Sequence, residues 1–272
     1  MLPYVTILGR ALPTYGLLGM LGIVVGLLVS LLRCKRFGLS RDDCVYIYAF
    51  GGVGALLGAK ILYLLPLLPQ VIRDLPLLFR DTGLFFERYL HGGLVFYGGL
   101  LGAILGAWGA ARFFKRRLTD FFPVFGPALA LAHAFGRLGC FCAGCCYGLH
   151  ADPPLGIAFT QAIAGPNGIP LLPVQLWECG ANLGIALILL GCSERWREDP
   201  KARPRLLAVY ILCYAPARFV LEFFRGDTVR GIYGPFSTSQ WISLAALAAV
   251  LAWGLLAQRK RVRTDRMSSL QP

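Results

Sequence analysis

Long apolar stretches, separated by shorter polar segments, dominate this chain. A membrane-spanning helix needs about 20 mostly apolar residues, and seven stretches reach that length with few charges inside them. The seven stretches are residues 14–32, 44–66, 92–112, 121–143, 174–192, 206–224 and 238–257. The fourth is the least uniform, because it contains two prolines, a histidine and an arginine. The pattern predicts an all-α integral membrane protein with seven transmembrane helices.

The charge distribution predicts the orientation of these helices. Of the 272 residues, 57% are hydrophobic and only 15% are charged, which is typical of a multi-pass membrane protein. With the loops assigned alternately to two sides, 18 of the 27 Lys and Arg residues fall on one side and six on the other. By the positive-inside rule the first side is cytoplasmic, so the C-terminus, with a basic tail at 258–272, lies in the cytoplasm and the N-terminus lies outside. The net charge of +13 reflects this topology and favours anionic lipid; nucleic acid is not an expected partner.

The loops and the glycines complete the predicted architecture. We expect one multi-pass membrane domain over residues 1–272, with no cleavable signal peptide and no soluble domain. Two long outer loops, about 67–91 and 144–173, are predicted to form a small extracytoplasmic cap. Glycines four residues apart predict close helix packing in lipid; they are Gly54, Gly58, Gly98, Gly102 and Gly106. The pair Gly98-Gly99, at the outer end of the third stretch, is a candidate for close approach of a ligand to the backbone.

A few charged residues fall inside the apolar stretches. Arg137 is one of them, and a cation at that depth costs about 2.5–3.5 kcal/mol, so it usually faces a cavity, a partner or a substrate. Arg218, Glu222 and Arg225 follow at intervals of four and three residues and share one helix face. Two interpretations remain open, a structural Arg–Glu–Arg ladder or a cationic pocket near the outer surface in which Glu222 orients the arginines. Two guanidinium groups, from Arg137 and Arg225, would suit a phosphate or a phosphodiester.

Four cysteines follow Arg137 within nine positions, namely Cys140, Cys142, Cys145 and Cys146. They lie at the predicted outer end of the fourth helix, where an oxidising compartment permits disulfides. A structural disulfide is one interpretation. A thiolate nucleophile or base, with its pKa lowered by the neighbouring arginine, is a second, and a tetrahedral metal site is a third. Simple packing is the fourth, and the sequence alone leaves all four open.

Five sequence elements occur in order between about Tyr15 and Trp253. They read Tyr15-Gly16, FERYLHGGLVFYGGLLGAILG, GRLGCFCAGCCYG, PVQLWE and RFVLEFFRGD. Together they resemble the elements of the prolipoprotein diacylglyceryl transferase family. The resemblance implies seven helices with an outer N-terminus, as the charge pattern also predicts.

The resemblance implies a membrane transferase of the bacterial cytoplasmic (inner) membrane that requires no cofactor. Members of the family move a diacylglyceryl group from phosphatidylglycerol to the lipobox cysteine thiol of a prolipoprotein and release glycerol 1-phosphate. Arg137 and Arg225 are the expected stabilisers of the departing phosphate. The resemblance further implies a set of substrate contacts, which are Tyr15, Gly98, Gly99, Cys140, Gln175, Glu178, Arg218 and Glu222.

The chain departs from the family's pattern at several polar positions. Tyr97 stands where many members have a histidine, Cys140 and Ala143 replace asparagines, and Cys145 replaces a glutamate. We therefore expect the anionic-lipid site to persist while the acid–base half is rebuilt. Tyr97 can hydrogen-bond phosphate but is a poor base, and Cys145 or Cys140 can accept the proton or carry the transferred group. Alternative functions are transfer to a different acceptor, or lipid binding, metal binding or transport without catalysis.

Overall fold

The computed structural model describes residues 2–7, 9–90, 93–227 and 231–268, with side chains as far as residue 259. Helices make up most of the described chain. They are α1 (Thr14–Cys34), α2 (Arg41–Leu64), α3 (Leu68–Asp74), α4 (Leu77–Arg80), α5 (Thr82–Leu90), α6 (Phe96–Phe113), α7 (Phe122–Ala143), α8 (Val174–Arg195), α9 (Arg205–Leu221) and α10 (Thr238–Ser268). Three antiparallel two-stranded hairpins accompany them, formed by β1 (Tyr4–Ile7) with β2 (Arg10–Pro13), β3 (Ile157–Ala158) with β4 (Pro170–Leu171), and β5 (Ile232–Tyr233) with β6 (Phe236–Ser237).

Six of the described helical segments are long and apolar enough to cross a membrane. They are Thr14–Phe37, Arg41–Leu64, Leu118–Ala143, Val174–Arg195, Pro200–Phe224 and Thr238–Arg259. The predicted third span, residues 92–112, coincides with α6, which is not among the six. This 18-residue helix contains five glycines and ends beside a charged residue, Arg112, and these residues lower its hydropathy. The six segments support a multi-pass helical membrane protein, while the seventh crossing and the orientation of the termini remain predictions.

The described residues form two compact units, residues 31–121 and residues 1–30 with 122–272. In the first of these, α2 packs along α6 through their glycines. A Cβ atom on Gly102 would lie 2.0 Å from the carbonyl oxygen of Gly54, and one on Gly58 would lie 2.3 Å from the carbonyl oxygen of Gly98. Only hydrogen fits at these positions, so the two backbones are in contact. The predicted glycine packing is therefore confirmed for this helix pair.

The same unit contains the segment predicted as the first outer loop. It is helical, and Asp74 at the end of α3 ties it to α5. The Tyr89 hydroxyl donates to Asp74 Oδ2 over 2.7 Å, and Arg88 Nη1 lies 2.5 Å from the same oxygen. These hydrogen bonds, that of Tyr89 first, hold the pKa of the Asp74 carboxyl below its ordinary value. Lys60 Nζ donates to the Leu90 carbonyl over 3.0 Å and so joins the end of α5 to α2.

In the other unit, α7 packs against α8, α8 against α9, and α9 against α10. Small and branched residues fill the centre of the contacts; they include Ala130, Ile185, Ala186, Leu189 and Leu206. α1 joins through Gly22, where a Cβ would lie 2.7 Å from Cβ of Phe135 in α7. This arrangement brings the C-terminal ends of α7 and α9 to the N-terminal ends of α8 and α10, and the polar residues of the unit meet there.

Candidate active site

Glu178 lies at the centre of the polar cluster, which is the group of polar side chains where the ends of α7, α8, α9 and α10 meet. It belongs to the beginning of α8, one turn after Gln175, and both side chains are buried. Glu178 Oε2 lies 2.8 Å from Arg137 Nε of α7, and Glu178 Oε1 accepts from Arg218 Nη1 of α9 over 2.7 Å. One carboxylate therefore connects three helices.

The ion pairs continue beyond Arg218 along the end of α9. Arg218 Nη2 lies 2.5 Å from Glu222 Oε2, one helical turn away, and Glu222 Oε2 lies 3.8 Å from Arg225 Nη1. Arg225 in turn donates both Nε and Nη2 to the two oxygens of Asp227, at 2.9 and 2.6 Å. Guanidinium and carboxylate groups thus alternate, three of each, in the ion-pair chain formed by Arg137, Glu178, Arg218, Glu222, Arg225 and Asp227.

The members of the ion-pair chain differ in how many hydrogen-bond donors remain for a ligand. Arg218 and Glu222 are buried and paired on both sides, which agrees with the structural ladder interpretation. The planar fork of Arg225 is occupied by Asp227. Arg137 keeps 15% of its side chain exposed, and its Nε also lies 3.3 Å from His133 Nε2. Its two terminal NH₂ groups make no hydrogen bond with any residue in the described part of the chain, so four N–H donors remain for a ligand.

The end of α7 shapes the cysteine turn, which we define as residues 140–146. Gly144 has φ of +71°, its N–H donates to the Phe141 carbonyl over 3.2 Å, and the Cys145 N–H donates to the Cys140 carbonyl over 3.1 Å. This pair of bonds is the Schellman motif, which favours glycine at the left-handed position. A Cβ on Gly144 would also lie only 2.4 Å from Cβ of Ala162. The turn folds Cys145 back onto the last helical turn, with its Sγ 3.7 Å from the Cys140 carbonyl oxygen.

Extended backbone beyond the cysteine turn places Arg225 beside it. Gly148 and Arg225 form an antiparallel bridge, and the Leu149 N–H donates to the Phe224 carbonyl over 2.8 Å. On its other edge, the Gly148 N–H donates to the Leu172 carbonyl over 3.0 Å. The end of α9 and the segment before α8 therefore hold the residues that follow the cysteine turn from two sides.

Three thiols converge in the cysteine turn. The Sγ atoms of Cys140, Cys145 and Cys146 all lie within 4.8 Å of one another, and all nine cysteines of the chain are free. Hydrogen bonds from the other two thiols lower the pKa of Cys146, and the charges of Arg225 and Arg137 act in the same direction. Cys146 also has φ of +56°, in the left-handed region that non-glycine residues rarely adopt.

Two further predicted site residues lie beside the cysteine turn. Gln175 Nε2 donates to the Cys145 carbonyl over 2.8 Å, so α8 fixes the turn as well as the arginines. Tyr15 begins α1, and a Cβ on Gly139 would lie 3.2 Å from the Tyr15 Cα. The start of α1 therefore packs directly on the last turns of α7.

The predicted site residues divide between the two units. The polar cluster brings together Tyr15, Arg137, Cys140, Cys145, Gln175, Glu178, Arg218, Glu222 and Arg225. Tyr97, Gly98 and Gly99 belong to α6 in the other unit. A Cβ on Gly98 would lie 2.3 Å from the Gly58 carbonyl oxygen, so helix packing alone accounts for this glycine. The predicted ligand contacts of these three residues remain predictions.

Sequence reasoning missed two partners of the arginines. Asp227 follows Arg225 by two residues in the RFVLEFFRGD element. This short spacing could have indicated the two hydrogen bonds from Arg225 to Asp227. Ser239 Oγ lies 3.3 Å from Arg218 Nη2. No local pattern indicates this contact, because it depends on α10 beginning beside the end of α9.

Membrane-length helices around a buried chain of ion pairs define a multi-pass membrane protein with an intramembrane polar site, and polar groups at that depth usually mark a functional site. The sequence model of one family, prolipoprotein diacylglyceryl transferase, matches residues 3–256. The chain belongs to this family, as its ordered motifs predicted.

Several bacterial proteins are similar in sequence to this chain over most of their length. The phosphatidylglycerol–prolipoprotein diacylglyceryl transferase 2 of Clostridium perfringens is 34% identical over 241 residues, which cover 89% of each chain. The phosphatidylglycerol–prolipoprotein diacylglyceryl transferase of Clostridium tetani is 33% identical over 85% of this chain and 87% of its own. The protein of the same name from Geobacter sulfurreducens is 31% identical over 91% of this chain and 92% of its own.

Proposed function

We propose that this protein transfers a diacylglyceryl group from phosphatidylglycerol to the lipobox cysteine thiol of a prolipoprotein and releases glycerol 1-phosphate. The family match over nearly the whole chain and the names of its relatives support this activity. The protein works in the bacterial cytoplasmic membrane, with its N-terminus outside and its C-terminus in the cytoplasm. Its acceptor peptide arrives from the extracytoplasmic side.

The observation that carries the proposal is the state of Arg137. The ion-pair chain is neutral as a whole, and at one end it holds a guanidinium whose terminal NH₂ groups are unoccupied within the described residues. A phosphodiester carries one negative charge, and it gains a second as its bond to the diacylglyceryl carbon breaks. A guanidinium aimed at those oxygens binds the transition state more strongly than the ground state, which is the requirement for catalysis.

The remaining residues have supporting roles in this proposal. Glu178 holds Arg137 and Arg218 in place, and Arg225 adds positive charge beside the cysteine turn and offers Nη1 to the phosphate.

Substrate contacts complete the proposed site. Tyr15 and Gln175 border the acceptor at the cysteine turn.

The acceptor thiol must lose its proton, because a free thiol with a pKa of about 8.5 is mostly protonated at neutral pH. The family's polar residues are replaced by thiols at Cys140 and Cys145, and these two thiols adjoin Cys146. We therefore assign the handling of the acceptor thiol to this cluster, with Cys145 as its catalytic member.

Proteoliposomes test the activity directly. They would contain the purified protein and phosphatidylglycerol labelled in its headgroup glycerol, and they would receive a lipobox peptide with cysteine or the same peptide with serine. The proposal predicts release of soluble glycerol phosphate with the cysteine peptide only. Release without any peptide would indicate a different acceptor or hydrolysis, and absence of release with bound lipid would favour a binding or transport protein.

A further inference from the structure

The three converging thiols have the geometry of a metal site. Zinc bound to cysteine has Zn–S distances of about 2.3 Å, so tetrahedral coordination requires sulfur atoms about 3.8 Å apart. The Sγ atoms of Cys140, Cys145 and Cys146 already lie within 4.8 Å of one another. Small side-chain rotations therefore suffice to place all three on one ion.

The backbone holds this geometry in place before any ion arrives. The Schellman motif at Gly144 folds Cys145 onto Cys140, and Gln175 anchors the Cys145 carbonyl over 2.8 Å. Cys146 is held at φ of +56°, a conformation that costs about 1–2 kcal/mol for an L-residue. Unusual backbone conformations of this kind concentrate at ligand sites and active sites.

Within the described part of the chain, three ligands meet at this site rather than four. Cys142 is two residues from Cys140 on α7, so its side chain leaves the helix about 200° further round, and it does not belong to the group of close thiols. Three protein ligands with one open position are typical of catalytic zinc, whereas structural zinc sites are closed by four. Three thiolates and one divalent cation carry a net charge of −1, and this charge would lie beside an ion-pair chain that has as many guanidinium as carboxylate groups.

We propose that Cys140, Cys145 and Cys146 bind one thiophilic divalent cation, with zinc the best match, and that the acceptor's cysteine sulfur takes its fourth position. This inference rests on the proposed function. Coordination releases the acceptor's proton to water and leaves a metal-bound thiolate. The thiolate sulfur forms a bond to the diacylglyceryl carbon, the bond from that carbon to the phosphate oxygen breaks, and the electron pair leaves with glycerol 1-phosphate. The metal thus replaces a general base.

Metal content of the full-length protein in detergent is the first test. After incubation with zinc and desalting, the protein should contain about one zinc ion per chain, as a site of this kind requires. Most of the zinc should be lost from each of the variants Cys140→Ser, Cys145→Ser and Cys146→Ser. The matched control, Cys142→Ser, should keep its zinc. Equal zinc in all four variants, or none in the unaltered chain, would overturn the proposal.

A second readout uses the unaltered chain, so that it does not depend on variants that fold. Mass spectrometry would identify the cysteines alkylated by iodoacetamide with and without added zinc. Zinc should protect Cys140, Cys145 and Cys146 together and leave the labelling of Cys142 unchanged. In protein purified without reductant, two of the three thiols could be joined by a disulfide. If that disulfide persists when zinc is added, it would contradict the proposal.

Cobalt substitution tests the open position and separates this inference from the proposed function. The cobalt-loaded protein should show sulfur-to-cobalt charge-transfer absorption, and the cysteine lipobox peptide should intensify it while the serine peptide should not. An unchanged spectrum would refute acceptor coordination. Full transfer activity after removal of metal by a chelator would refute the metal's role and leave the transferase intact, whereas metal and peptide binding without glycerol phosphate release would refute the transferase alone.

Discussion

Arg137 and Arg218 both pair with Glu178, yet their surroundings differ, and we propose different roles for them. Arg218 is bound on two sides by carboxylates and is 9% exposed, whereas the terminal NH₂ groups of Arg137 have no hydrogen-bond partner among the described residues. A guanidinium that supports helix packing and a guanidinium that binds substrate fail in different ways when they are replaced. The two cases can be separated by measuring stability and turnover on the same variants.

Arg137→Lys should impair catalysis more than stability. Lysine retains the charge but lacks the planar fork that matches two phosphate oxygens, so we expect turnover to fall by about 10²-fold, as for loss of one preorganised donor. The measurement is the turnover number and KM for peptide-dependent release of glycerol phosphate. Arg197→Lys, at an exposed pair with Glu198, is the control; an unchanged turnover number in Arg137→Lys would contradict the role given to Arg137.

Arg218→Met should impair stability. The substitution leaves two buried carboxylates, Glu178 and Glu222, without their shared cation, and breaking a buried pair in this way costs about 3–5 kcal/mol. Thermal unfolding in detergent would measure the loss. Adding Glu222→Gln to Arg218→Met should restore part of the stability, because one uncompensated charge is removed; a double variant no more stable than the single one would argue against the ion-pair chain.

At the scale of elements, the sequence predicted the long helices far better than the segments that join them. Apolar runs determine where a spanning helix forms, and the glycine spacing of Gly54 and Gly58 correctly indicated close packing. The cysteine turn was not predictable, because it depends on the contact between Gly144 and Ala162 and on the bond from Gln175, which join segments distant in sequence. The Arg–Glu spacing on α9 was visible in the sequence, but the link to α7 through Glu178 required the fold.

The glycine contact between α2 and α6 can be tested within one helix. Gly102→Ala places a methyl group 2.0 Å from the Gly54 carbonyl oxygen, so the helices must separate and the protein should lose stability. Gly109→Ala, on the same helix with no atom within 4 Å of the new carbon, is the matched control. It should be neutral or slightly stabilising, since alanine favours helix by about 1 kcal/mol over glycine. Equal thermal stability of the two variants would contradict the packing described above.

At the scale of the whole molecule, the orientation in the membrane is a prediction from the distribution of Lys and Arg along the sequence. Reporter fusions test it. A fluorescent protein that matures only in the cytoplasm should be bright when fused after residue 272, and a periplasm-dependent phosphatase should be active when inserted near residue 80. The reverse pattern, or phosphatase activity at the C-terminus, would contradict seven crossings with an outer N-terminus.

Transfer of a diacylglyceryl group to a peptide thiol is tested most directly by the mass of the acceptor peptide. After incubation with proteoliposomes of phosphatidylglycerol, we predict that its mass increases by one diacylglyceryl group on the cysteine. A thioether also survives hydroxylamine, which cleaves thioesters. An unmodified peptide in the presence of intact, lipid-bound protein, or a diacylglyceryl group found on a cysteine of the protein itself, would contradict the account.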